Sequence, residues 1–139
     1  MATWTTPDWS SHDPEIDDEH KKLHQMVSSL AAVISNDGGR SLSSEALNIL
    51  RDRLKLHFGL EEQTAARIDS EATRILHEDH AHLLGLLELV KSGMAGQHPA
   101  EVKARMAAFM AALDKHDAEI DVPLFRMMAA LKAKNPLPS

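Results

Sequence analysis

The chain has 139 residues, no cysteine, and 21 acidic against 15 basic side chains, a formal charge of −6 with histidine neutral. At about 100 to 200 residues per domain this is one domain, long enough to bury a core without disulfides, and the missing cysteine excludes thiolate metal sites, iron–sulfur clusters and thiol nucleophiles. The acidic balance without a Lys/Arg run argues against nucleic acid, and no apolar stretch approaches the roughly 18 residues of a membrane span, since Leu83 to Leu87 is cut by Glu88. The start, MATWTTPDWSS, has neither a basic nor an apolar signal region, so a cytoplasmic protein is expected. Nine histidines stand beside 4% aromatic residues and no Tyr, and their placement decides what the chain does.

Apolar positions repeat with a helical period throughout, which predicts an all-α chain with no second domain. Residues 1–16 read as an N-terminal arm. A first helix is predicted from about Asp17 to Ser35, with Leu23, Met26, Val27, Leu30, Val33 and Ile34 on one buried stripe, stopped by Asn36, Asp37, Gly38 and Gly39. His20 continues that stripe toward the N-terminus. A second helix, capped within Ser41, Ser43 and Ser44, runs to about Ile68 with the stripe Leu47, Leu50, Leu54, His57 and Glu61. A third covers about Glu71 to Lys91, where His80 leads into Leu83, Leu84 and Leu87, and ends near Ser92, Gly93 and Gly96. The fourth starts after Pro99 and carries Val102, Met106, Phe109, Leu113, His116 and Ile120 in phase. Pro123 should end or kink it at Val122, with a short helix from Leu124 to about Lys134 and a loose NPLPS tail. Four helices joined by short connections fold most simply as an up-down-up-down antiparallel bundle over about 17–122.

Each helix thus points an imidazole inward, and Glu61 and Asp121 add carboxylates. One core histidine alone is ordinarily satisfied by hydrogen bonds. Four or five with two carboxylates, in a core poor in polar partners, point to a metal. In an antiparallel bundle His20, His57, Glu61, His80 and His116 fall at one end. The donors are nitrogen and oxygen only, which suits zinc, copper, iron or nickel; there are too many for one tetrahedral zinc, and two ions sharing carboxylate bridges fit better. No Glu has a His three residues later, as a ferritin-like centre requires, and HEDH at 77–80 lacks the zinc-protease spacing.

These residues resemble the hemerythrins, in particular the short bacterial ones. Trp4 lies sixteen residues before His20; IDDEHKKLH at 16–24, LHFGLEEQ at 56–63 and LDKHDAEID at 113–121 are similar to the family's helix motifs, the last including its i, i+5 His-to-Asp spacing. The resemblance implies two iron ions, ligated by His20, His57, His80 and His116 and bridged by Glu61 and Asp121. The third helix departs from the family's His-x-x-x-His, because the position before His80 is Leu76 and His77 comes one residue late. An i, i+3 pair lies within about 60° on a helix, so His77 is kept in the metal set; the alternative is an exposed His77 and an iron short of one protein ligand.

The ligand pocket implied by the resemblance retains Leu23, Phe58 and Leu113, but Ala112, Asp117 and His24 stand where large apolar residues are common. His24 and Asp117 either face that pocket or are solvated helix-face residues. His12, His82 and His98 are given no role. The implied function is a non-haem di-iron protein that reversibly binds molecular oxygen for carriage, storage or sensing, more a binding protein than an enzyme. The alternative is a di-iron redox enzyme or repair protein acting on peroxide or nitric oxide through a wetter site, with a redox partner protein in either case.

Overall fold

The computed structural model describes residues 14–37, 44–96 and 98–134. Trp4, His12, most of the arm, the proposed caps Ser41 and Ser43 and the NPLPS tail lie outside them. Among the described residues there is no strand, only helix and short turns: α1 Pro14–Asp37, α2 Ser44–Ala66, α3 Ser70–Ala95, α4 Pro99–His116, a π-helical turn Asp117–Asp121, and α5 Val122–Lys134. No described helix is long and apolar enough to cross a membrane.

The helix ends follow local chemistry. α1 begins three residues before Asp17, at Pro14, whose fixed φ suits a first helical position, with Glu15 and Asp17 favouring the exposed amides of the first turn. α2 stops at Ala66, two residues before Ile68, which is apolar but exposed; the amides of Ile68 and Asp69 both return to the Ala65 carbonyl. Asp69 then caps α3 by accepting from the amides of Glu71 and Ala72 at 2.9 and 3.2 Å. α3 continues four residues past Lys91 because Gly93 does not stop it. A Cβ at Gly93 would stand 3.1 Å from Val102 Cγ2, so glycine there lets α3 and α4 approach closely.

Near Pro123 the regular α-helix gives way, but the chain stays helical, a π turn joining α4 to α5. The Val122 amide bonds the Asp117 carbonyl five residues back, and Val122 keeps helical angles (φ −61°, ψ −48°) despite preceding proline. A π turn carries one extra residue, which displaces the backbone the proline ring would otherwise meet.

The helices pack as a bundle: α1 lies against α2 and α4, α2 against α3, and α3 against α4. One apolar cluster fills most of it, with Leu23 and Val27 of α1, Leu54 and Phe58 of α2, Leu83 and Leu87 of α3, and Phe109 and Leu113 of α4. A second, smaller cluster joins Ala65, Leu76, Leu124, Phe125 and Met128, with Ile16 and Ile120 against it. α1, α2 and α3 each pass from one apolar cluster to the other, and α4 does so through the π turn into α5. The residues between are polar.

Candidate metal centre

The layer between the clusters holds His20 (between Ile16 and Leu23), His57 and Glu61 (between Leu54 and Ala65), His80 (between Leu76 and Leu83), and His116 and Asp121 (between Leu113 and Leu124). All six are at most 4% exposed. Helix geometry explains the pairs: His57 and Glu61 are one turn apart, whereas His116 and Asp121, five apart, would diverge by about 140° on an α-helix. The π turn between them removes that divergence and leaves His116 Nε2 3.6 Å from Asp121 Oδ1.

Ligand-type atoms converge in two groups: His20, His57, Glu61 and Asp121, and Glu61, His80, His116 and Asp121. Within each, one atom per residue lies within 4.8 Å of the others, close to the roughly 4.2 Å between opposite ligands about 2.1 Å from one ion. The groups share both carboxylates and divide the imidazoles two and two. Asp121 faces both, with Oδ2 2.7 Å from His20 Nε2 and Oδ1 toward His116. Glu61 does likewise: Oε2 is 3.3 Å from His20 Nε2, and Oε1 is 3.2 Å from His57 Nε2 and 3.4 Å from His80 Nε2.

His20 Nε2 and Glu61 Oε2 are hydrogen-bonded, but the other contacts are short without hydrogen-bond alignment. Nε2 of His57, His80 and His116, Oε1 of Glu61 and both carboxylate oxygens of Asp121 are buried with no well-formed hydrogen bond. Buried polar atoms are ordinarily satisfied, and donors that crowd together yet do not point at one another fit a cation between them. The residues therefore fit a bound metal cation, and each of the two groups offers the donors for one.

Without metal, the imidazoles and carboxylates of the layer shift one another's protonation. Burial opposes charge on His20, but the Asp121 and Glu61 carboxylates beside it outweigh it and push the imidazole up to about 11. His116 is pushed up to about 9, burial again being overcome, here chiefly by Asp121. Burial and the Glu61 charge raise Asp121 to about 6, while Glu61, despite its own burial, is held well below the usual carboxylate range by its hydrogen-bonded neighbours. Metal ions would replace these protons.

His77 is not brought into the layer. Its side chain is 72% exposed against 2% for His80, and its Nδ1 meets Glu62 Oε1 at 2.6 Å. The position one turn before His80 belongs to Leu76, which is fully buried in the second apolar cluster. Among the pocket residues, Leu23, Phe58 and Leu113 are buried in the larger cluster, and the Phe58 ring lies parallel to His80 at 3.9 Å. His24 and Asp117 are not solvated face residues: Asp117 is buried, and His24 Nε2 meets its Oδ2 at 2.5 Å, with Asp114 3.8 Å from His24 Nδ1.

Two contacts have no counterpart in the sequence reading. Glu62 Oε2 is 2.9 Å from His80 Nδ1, and Asp79 Oδ2 is 2.5 Å from His116 Nδ1. Their only sequence signal is adjacency, Glu62 beside Glu61 and Asp79 beside His80.

Comparison with curated proteins and with solved structures found no match. The family model of the Hemerythrin HHE cation binding domain matches residues 12–128, which contain all six residues of the polar layer. The chain belongs to the hemerythrin HHE cation-binding family.

Proposed function

We propose that this chain is a single hemerythrin-like domain that holds two iron ions and reversibly binds molecular oxygen. The observation that carries the reading is the pair of two-imidazole groups sharing Glu61 and Asp121. Four neutral imidazoles and two carboxylates offset part of the charge of two divalent ions and leave coordination positions open. Bound as ferrous ions, the pair would supply the two electrons that dioxygen accepts, which one ion alone would not. The protein's part is to set the ions side by side through Glu61 and Asp121 and to keep water out with Leu23, Phe58 and Leu113.

Contacts between helices support an up-down-up-down course: His20 near the start of α1 meets Glu61 near the end of α2, and Glu62 near the end of α2 meets His80 in the first half of α3. A cytoplasmic, bacterial-type protein served by a redox partner completes the reading.

The part-buried His24–Asp117 pair favours one alternative, a redox enzyme or repair protein acting on peroxide or nitric oxide. A polar pair facing the ligand pocket would admit water and protons that an oxygen carrier excludes. Metal analysis with optical spectra of the anaerobically reduced protein, before and after oxygen, tests both. Two irons per chain and an oxygen-dependent band that disappears on deoxygenation are expected. Immediate irreversible oxidation with rapid peroxide consumption favours the enzyme, and no iron after anaerobic reconstitution excludes both.

A further inference from the structure

Outside the polar layer, α3 and α2 share a contact that neither ligation nor core packing uses. Glu62 of α2 reaches two histidines of α3 with its two oxygens: Oε1 is 2.6 Å from His77 Nδ1 and Oε2 is 2.9 Å from His80 Nδ1. We propose that Glu62 and His77 form a positioning pair that holds His80 on one of the two metal ions and compensates for the imidazole absent at Leu76. The inference rests on the two-ion reading of the site.

A carboxylate on Nδ1 makes that nitrogen the donor, so His80 carries its proton on the outer side and turns the Nε2 lone pair to the centre. The same Nε2 is among the buried atoms with no hydrogen bond. Glu62 sets the tilt of the ring in its plane, and the stacked Phe58, 3.9 Å away with 5° between planes, holds its face. Hydrogen bonding to a carboxylate also makes the imidazole a better donor to a cation.

Glu62 is 21% exposed, so water competes for it and three side-chain torsions can carry it away. His77 counters this by donating to the second oxygen, which closes Glu62 between two imidazoles three residues apart on α3. The position of His77, one residue off the ligand register and 72% exposed, suits that task and not ligation. Leu76 leaves the ion served by His80 and His116 with two imidazoles, so affinity there depends more heavily on how well each is held.

The pair therefore acts on one ion and not on the other. Titration of the metal-free full chain with Co(II) under argon, followed by visible absorption, should show two binding steps in the wild type. Glu62→Ala should weaken one step about 10- to 100-fold, as losses of groups hydrogen-bonded to metal ligands commonly do, and leave the other unchanged. His77→Ala, at a surface position where folding is not at risk, should weaken the same step by less. Glu62→Gln, which keeps an acceptor for His80, should fall between wild type and Glu62→Ala. The step retained in His20→Ala identifies the ion held by His80 and His116.

Wild-type affinity at both steps in Glu62→Ala and His77→Ala overturns the proposal. So does an equal loss at both steps, which signals general damage to the bundle. A wild type that takes up no cobalt overturns the two-ion reading itself and this inference with it.

Discussion

At the residue scale, Glu61 carries the most, since it faces three imidazoles from three helices and is fully buried. On the proposed two-ion reading Glu61→Ala should abolish binding of both ions, and it should also destabilise the metal-free protein, because it leaves raised imidazoles such as His20 short of a counter-charge. Breaking a buried pair in this way costs about 3–5 kcal/mol, measurable by urea unfolding in chelator. Two irons retained per chain would refute the shared role of Glu61. Leu76→His makes the converse change. An imidazole placed in the cluster of Ala65, Leu124 and Phe125 should cost the metal-free protein about 2–4 kcal/mol in lost burial and desolvation, yet tighten the ion next to His80. Unchanged affinity at both steps of a metal titration would mean that position 76 does not reach the centre. Five residues of the polar layer were legible in the sequence because each interrupts an apolar stripe at helical spacing, a signal one helix carries by itself, whereas Asp121 lies off that stripe on a regular helix and was supported by the His-to-Asp spacing of the resemblance. Glu62 and Asp79 were not, because their partners sit on other helices and their own positions fit an ordinary solvated face, and His24 and Asp117 were singled out only by the resemblance, without their pairing. His77 shows the limit of angular reasoning, since about 60° on a helix separates a buried position from an exposed one.

At the element scale, the π turn Asp117–Asp121 ties the metal site to the last helix. It brings Asp121 level with His116, and it sets the rotation of α5, whose Leu124, Phe125 and Met128 close the smaller apolar cluster. A π turn is an α-helix with one residue inserted, so removing one residue should be tolerated better than adding one. Deletion of Ala118, which is exposed, should leave His116 and Asp121 four apart on a regular helix and still on one face. Insertion of an alanine after Ala118 should rotate Asp121 and the buried face of α5 by about 100° and abolish metal binding. Metal stoichiometry with thermal unfolding by circular dichroism checks both; equal damage from deletion and insertion would count against this account. Four helices and their connections were readable from periodicity, the short turns and Pro99. The turn itself was not: Pro123 signals a break, and only packing of α5 onto the cluster of Ala65 and Leu76 decides that the chain accommodates proline by widening one turn instead of leaving the helix.

At the scale of the whole molecule, the polar layer divides the apolar interior in two, and the bundle gains its cohesion there from protons or from metal. The two states should respond to pH in opposite directions. In the metal-free protein His116 at about 9 and His20 at about 11 lie above the ordinary histidine value of 6.5, so the folded chain holds protons that the unfolded chain releases. Their stabilisation is fully present below about pH 6.5 and is lost as pH rises through about 9 and then 11. Asp121, raised from 3.8 to about 6, acts in the same sense, its contribution being lost as pH rises through about 6. Glu61 opposes them, since a carboxylate held low favours the folded state above its ordinary range, but that contribution is complete by neutral pH and does not alter the trend beyond it. Bound ions reverse the dependence. They displace the protons, so each binding event releases protons and its affinity rises with pH, while the folded state gains stability in proportion to the logarithm of free metal over the dissociation constant. Thermal unfolding from pH 6.5 to 10 should therefore show a falling midpoint in chelator. With saturating metal the gap between the loaded and the metal-free protein should widen as pH rises, and metal titration in weakly buffered solution should acidify the medium. A metal-free midpoint that climbs toward pH 10, or metal uptake without proton release, would show that the layer is not held by the shared protons its geometry implies.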